Sequence, residues 1–305
     1  MIEEGNLQWV TIEQDEPKDN TEPGQKGSQS DQQPRSQLPP IRALVSSTHP
    51  VVIQSSTSST KTTTTTTPQK SPRPTLIIST GKGKVRAGIF SRKHIQTTGL
   101  EPSTAISQVR EAKKRGMDII LLDPNVRGER YGTVTIEKSL SKLLEHLFEA
   151  KHDDNEKTEE RPMDSSPPSP SLYIQAHSAA GSYVVQHLMR HPDLYLSHAK
   201  AMVFTDSTHC IQWTKKQPEL FAFLESSSCV YFRSSNKMRD DCWENHRVGE
   251  EIGSSSDQYW VHRYGKLRTC WAGTTEHSLS DWSARKAIWK HFDGNNDGDD
   301  NDEGS

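Results

Sequence analysis

The sequence predicts an α/β protein with a mostly parallel sheet and helices on both of its faces. Three observations predict it. Between about residues 75 and 292, short apolar runs alternate with longer amphipathic ones. The short runs are apolar throughout, as strands buried on both faces are, and lack the in–out alternation of a half-exposed strand. Glycine or proline marks the boundaries of the longer runs, where helices begin and end. Strands and helices in strict alternation form parallel units closed by crossover helices.

The elements follow in order. Residues 75–79 (TLIIS) form the first strand, and Gly81 to Gly83 make a glycine-rich turn after it. Pro102 and Ser103 open a helix that runs to Arg115 and is closed by Gly116; 118–122 (DIILL) is the next buried strand. A helix over about 134–150 carries Leu140, Leu143, Leu144 and Leu147 on one face. The pattern repeats as strand 172–176, helix 180–190 ending before Pro192, strand 201–205 (AMVFT), helix 218–225 and strand 229–233. It closes with strand 268–272 and helix 281–292.

Composition sets the domain limits. The chain has 305 residues, of which 31% are hydrophobic, against roughly 45–50% in ordinary globular domains. The deficit lies in the flanks. Residues 1–73 are Gln, Ser, Thr, Pro and Lys, including SSTSSTKTTTTTT at 55–67, and cannot bury enough apolar surface to offset the entropy of ordering. They are expected to be disordered; the apolar patch 41–53 (IRALVSSTHPVVI) is either a short strand, a docking segment or, more simply, nothing. The domain is therefore placed at 74–292, with 151–170 (KHDDNEKTEERPMDSSPPSP) a flexible insertion and 293–305 an acidic disordered tail. Net charge is −3, from 37 basic and 40 acidic residues, with no polybasic run. Direct nucleic-acid binding and membrane attachment are not expected. No apolar run is long enough to span a membrane, and the first ten residues lack the basic start of a signal peptide. Four cysteines without a C-x-x-C pair suggest reduced thiols inside the cell.

Ligands of such sheets bind at the carboxyl ends of the strands. Residues 176–181 (AHSAAG) place Ser178 at the apex of a strand–turn–helix, a small-residue version of the G-x-S-x-G nucleophile elbow in which alanines replace both flanking glycines. Acids follow at later strand ends: Asp206 in FTDS, and Asp240 or Asp241 in KMRDD. His277 ends AGTTEH. Ser, acid, His is the chain order of α/β hydrolases. In that reading His277 accepts the Ser178 proton, Asp206 (alternatively Asp240) orients the imidazole, and the backbone N–H groups of Ala179 and of the turn at Gly81 hold the oxyanion. His177 and His209 are expected to support the site through hydrogen bonds. Neither has an acid at metal-ligand spacing, so no metal or cofactor is expected.

On these residues the chain resembles one family, the Argonaute-binding protein (Arb-two) domain, of the kind found in cotranscriptional regulators. The similar stretches are GKVRAG at 83–88, LDPN at 122–125, AHSAAG at 176–181, FTDSTH at 204–209 and AGTTEH at 272–277 with Trp282. The resemblance implies an α/β-hydrolase-like fold with its nucleophile at Ser178. It also implies a regulatory or scaffold protein of the nucleus and/or cytoplasm, whose partners are Argonaute or chromatin factors in RNA silencing, heterochromatin or cotranscriptional regulation. The alternative is an active serine hydrolase, an esterase or amidase using Ser178, Asp206 and His277.

Overall fold

The computed structural model describes residues 2–13, 38–49, 73–149, 170–234, 246–252 and 258–295. In chain order its elements are α1 (Ile2–Gly5), β1 (Leu7–Glu13), β2 (Ile41–Ser46), β3 (Thr75–Ser79), α2 (Arg92–Thr97), α3 (Leu100–Ser103), α4 (Ile106–Lys114), β4 (Asp118–Leu122) and α5 (Gly132–Glu149). There follow β5 (Leu172–His177), α6 (Ala179–Arg190), α7 (Pro192–His198), β6 (Ala199–Thr205), α8 (Pro218–Leu224), β7 (Cys229–Arg233), α9 (Gln258–Tyr264), β8 (Thr269–Trp271) and α10 (Ser280–Gly294).

One eight-stranded sheet has the order β1-β2-β4-β3-β5-β6-β7-β8. β2 runs antiparallel to both β1 and β4, and the pairs from β4 through to β8 are parallel. This is the α/β-hydrolase arrangement, with the strand that precedes the serine elbow at the centre. The unbroken apolar runs have a simple cause. Ile77 of β3 faces a core built with Leu140, Leu144, Val184 and Leu188. Its neighbours Leu76 and Ile78 face the opposite core, with Val109, Ala112, Ile288 and Phe292. A strand covered on both faces has no polar side to show. Register then sets the active end of the sheet, because Ser79 pairs with both Leu122 and Ala176, and His177 pairs with Thr205.

The expectation that residues 1–73 stand outside the fold is overturned for two segments. β2 is inserted between β1 and β4, with Ile41, Ala43, Leu44 and Val45 buried. The Ser46 hydroxyl accepts a 2.8 Å hydrogen bond from the Ile119 amide. β1 is an edge strand whose only buried side chain is Leu7, and its Glu13 carboxylate pairs with Lys138 on α5 and with Arg127. An edge strand needs little apolar content, so composition hides β1; β2 is the short strand that was one reading of the apolar patch 41–53. The low-complexity tract 55–67, residues 151–169 of the insertion, and 296–305 of the tail lie outside the described residues. The helix expected over 102–115 is two helices, broken where Thr104 is extended and bridges to Ile89. The last helix passes the expected domain end at Phe292, and Asp293 pairs with Arg115 of the loop after α4 at 2.7 Å.

Two tests follow from the N-terminal strands. A chain beginning at residue 73 should lose the cooperative thermal transition of the whole protein, because it uncovers one edge of β4 and the flank of α5. Val45→Asp in the full chain should cost about 3–5 kcal/mol in a denaturant titration, since its charge has no partner in that core. Equal melting of the truncated and whole chains would overturn the assignment of β1 and β2 to the fold.

Candidate active site

The elbow is built from one residue. β5 ends at His177, α6 begins at Ala179, and Ser178 between them has φ +55° and ψ −128°. A non-glycine residue with positive φ is strained and persists only where its surroundings over-determine it. Here the Ser178 amide donates to the Thr205 carbonyl at 3.0 Å, and its own carbonyl accepts from the amides of Gly181 (3.2 Å) and Thr208 (3.1 Å). The small neighbours are needed for space. A Cβ on Gly181 would lie 1.8 Å from Ser207 Oγ, and one on Gly81 would lie 2.5 Å from Ser178 Cβ. Ala180, at the second alanine of the motif, is fully buried under the turn.

Asp206 and His277 come from later strand ends, after β6 and β8. Asp206, immediately after β6, also has positive φ, +37°; among the described non-glycine residues only Asn6 and Ser178 share this. Its amide donates to the Phe232 carbonyl at 2.7 Å, and its Oδ1 accepts from the Ser234 amide at 3.3 Å. Oδ2 lies 2.5 Å from Nδ1 of His277. Burial pulls the Asp206 carboxyl up, but the hydrogen bonds from His277 and Ser234 outweigh it and leave it below the ordinary carboxylate value. The same bond raises His277 above its usual value, against desolvation. The His277 loop is fixed from behind, where Ser280 Oγ donates to the His277 carbonyl at 2.9 Å and Ser278 Oγ meets His94 Nδ1 at 2.9 Å. The His277 side chain is 51% exposed and that of Asp206 14%, so the dyad faces solvent at its imidazole end. Of the competing acids, Asp206 is the one held against His277; Asp240 and Asp241 lie outside the described residues.

Beneath this dyad lies a second one. The buried ring of His177 sits 4.7 Å from that of His277, and its Nδ1 is 2.7 Å from Oδ2 of Asp281, a wholly buried carboxylate on α10. The other oxygen of Asp281 accepts from Gln175 Nε2 (2.7 Å) and Thr205 Oγ1 (2.8 Å). Burial raises its pKa, and the charge of His177 with the donated hydrogen bonds reverses this, so Asp281 lies below its ordinary value. Sequence reasoning did not find Asp281; an acid in the first turn of a helix reads as a dipole partner. His177 therefore lies between His277 and Asp281. His209 makes its contacts elsewhere. Its ring is stacked on Phe204 (centroids 3.9 Å) among Tyr231 and Tyr264, with Nδ1 against Ser207 Oγ at 2.9 Å, and burial holds it well below its usual pKa.

The oxyanion side is also organised. Ala179 is the first residue of α6, where an amide has no partner within the helix. Gly81 packs against Ser178, and the Gly81 loop is clamped by Asn125, which donates to the carbonyls of Gly81 (2.8 Å) and Val85 (3.2 Å) and accepts from the Gly83 amide (3.2 Å). Two residues earlier, buried Asp123 holds Arg86 at 2.7 Å. Asp123 and Asn125 of LDPN therefore pin the GKGKVR segment across the sheet, a role that appears only once the two loops are adjacent.

Two variants test this construction. Asp281→Asn replaces a carboxylate that accepts from Gln175 and Thr205 and faces His177 by a group that brings N–H bonds of its own, and should cost about 1–3 kcal/mol in denaturant titration. Because the folded pKa of Asp281 is depressed, its contribution is present above the unfolded value of about 3.9 and is lost as pH falls through the folded value; the variant should flatten the acid limb of the stability profile. Gly181→Ala should prevent the elbow from closing and abolish soluble expression or lower Tm sharply.

Among solved structures, the fold is similar to that of a Lactobacillus plantarum protein provisionally assigned as a carboxylesterase, at 9% identity and a TM-score of 0.36, over 87% of this chain and 96% of the other. No curated protein matches the sequence. The Arb2 domain matches residues 42–238, well over half of the chain, starting within β2 and ending beyond β7. By that match, on the same elbow and Asp206 strand end described above, this chain belongs to the Arb2 domain family.

Proposed function

We propose that this Arb2 domain is a serine hydrolase that cleaves an ester or amide through an acyl-enzyme. The observation that carries the reading is the concentration of strain and polar contacts at one end of the sheet: positive φ at Ser178 and Asp206, with Asp206 bonded to His277 Nδ1. Strain of this kind collects at functional residues. In the proposed reaction, Nε2 of neutral His277 takes the proton of Ser178 Oγ as Oγ forms a bond to the substrate carbonyl carbon. The negative charge on the carbonyl oxygen is held by the N–H groups of Ala179 and Gly81. The imidazolium, stabilised by Asp206, returns the proton to the leaving alkoxide or amine as the scissile bond breaks. Water then attacks the acyl group, His277 again accepting the proton, and Ser178 is released with the acid product.

Two measurements test it. A fluorophosphonate probe should label the protein at Ser178; Ser178→Ala should lose labelling and about 10³-fold or more of any ester hydrolysis while keeping the parent Tm. No labelling of the parent protein would overturn the enzyme reading. Because His277 must be neutral to act and its pKa is raised, the rate of labelling should climb with pH through a midpoint above about 6.5. Asp206→Asn should move that midpoint down and slow the reaction by about 10⁴-fold.

Family membership favours a second reading, a binding module for Argonaute or chromatin proteins acting in the nucleus or cytoplasm. The two readings separate on one variant: co-purification of such partners with Ser178→Ala as with the parent protein supports a scaffold independent of the chemistry.

A further inference from the structure

At the far end of α6 from Ser178, three side chains from two helices converge. Glu137 of α5, His187 of α6 and His191 just after it each point one ligand atom inward, and these atoms lie within 4.8 Å of one another. Nε2 of His191 is 3.2 Å from Oε1 of Glu137. That is close to the separation of about 3.4 Å that two ligands take at roughly 2.0–2.2 Å on one tetrahedral zinc ion. The remaining atoms of the cluster are held so that these three stay available. His187 is wholly buried, and its Nδ1 is tied to the Tyr195 hydroxyl at 2.8 Å. Its Nε2 faces the Ser141 hydroxyl at 3.3 Å. The second carboxylate oxygen of Glu137 is held by Arg190 at 2.5 Å, which leaves Oε1 facing the histidines.

We infer that Glu137, His187 and His191 form a binding site for a divalent transition-metal ion, zinc being the best match. Two imidazoles and a carboxylate suit zinc, whereas magnesium and calcium favour oxygen ligands alone. Tyr195 fixes the ring of His187, and Arg190 fixes the carboxylate, as outer partners of metal ligands do. The fourth position is left to the Ser141 hydroxyl or to solvent. His187 stands nine residues beyond Ser178, about 14 Å along the helix axis at 1.5 Å per residue, so the ion takes no part in chemistry at the elbow. It fastens the helix that carries the nucleophile to α5. His187 and His191 stand at H-x-x-x-H spacing, and the third ligand, Glu137, comes from a helix fifty residues earlier in the chain.

The test uses the full chain freed of metal by chelation. Dialysis against Zn²⁺ should load about one equivalent, and at zinc concentrations about 100-fold above Kd should raise Tm by roughly 5–10 °C. His191→Asn, at a partly exposed position, should weaken binding by about 100-fold or more and remove the rise in Tm; Glu137→Gln should do the same. Tyr195→Phe should weaken binding by roughly 10-fold while keeping the stoichiometry. Co²⁺ loaded into the parent protein should give the visible absorption of a four-coordinate site, a readout that does not depend on any variant folding. Absence of stoichiometric zinc, cobalt bound with a six-coordinate spectrum, or zinc binding unchanged in both His191→Asn and Glu137→Gln would each overturn the site.

Discussion

The active end of the sheet rests on the buried carboxylate of Asp281. A charge removed from water is costly unless it is surrounded by donors. Asp281 has two, Gln175 from β5 and Thr205 from β6, and its other oxygen lies 2.7 Å from Nδ1 of His177. Two of these, His177 and Thr205, immediately precede Ser178 and Asp206. The carboxylate thus ties together the two strand ends that carry Ser178 and Asp206, and it does so from a helix that belongs to neither strand. Its own satisfaction and the geometry above it are a single constraint, because moving either strand end leaves a buried donor or acceptor unmatched.

Above that network the backbone is forced into conformations that side chains resist, and the sequence yields wherever space is short. Positive φ at Ser178 and at Asp206 costs of order 1–3 kcal/mol each. Parallel pairing on both sides of β5 and β6 and the crossed hydrogen bonds from Thr205, Thr208, Phe232 and Ser234 hold the two residues in place. Gly81 and Gly181 occupy positions where a methyl group would strike Ser178 or Ser207. Ala180 in place of the usual glycine is accommodated because the close approach to Ser207 falls one residue later, at Gly181. The altered motif therefore still makes the turn.

Much of this was legible in the sequence for physical reasons. Strands buried on both faces must be apolar at every position, so TLIIS, DIILL and CVYFR are strands to within a residue or two. Residues just after such strands lie at one end of the sheet, which is where Ser178, Asp206 and Gly81 stand. β1 was not legible, because an edge strand carries little of the pattern that marks buried β structure; β2 lies in the apolar patch 41–53, where a short strand was one of three readings. Asp281, Asn125 and the Glu137 cluster were not legible either. Each depends on elements far apart in sequence meeting in space.

The position of Asp281 has a consequence for the order in which the protein becomes competent. It is 106 residues from Gln175 and 76 from Thr205, and it lies in the last helix of the fold. Loops of that length close late, after the local strand–helix units have formed. A chain whose sheet is already paired, but whose last helix has not docked, has β5 and β6 in place with Thr205, Gln175 and His177 lacking their common acceptor. Docking of that one helix, through Asp281, thus completes the hydrogen bonding of two strand ends at once.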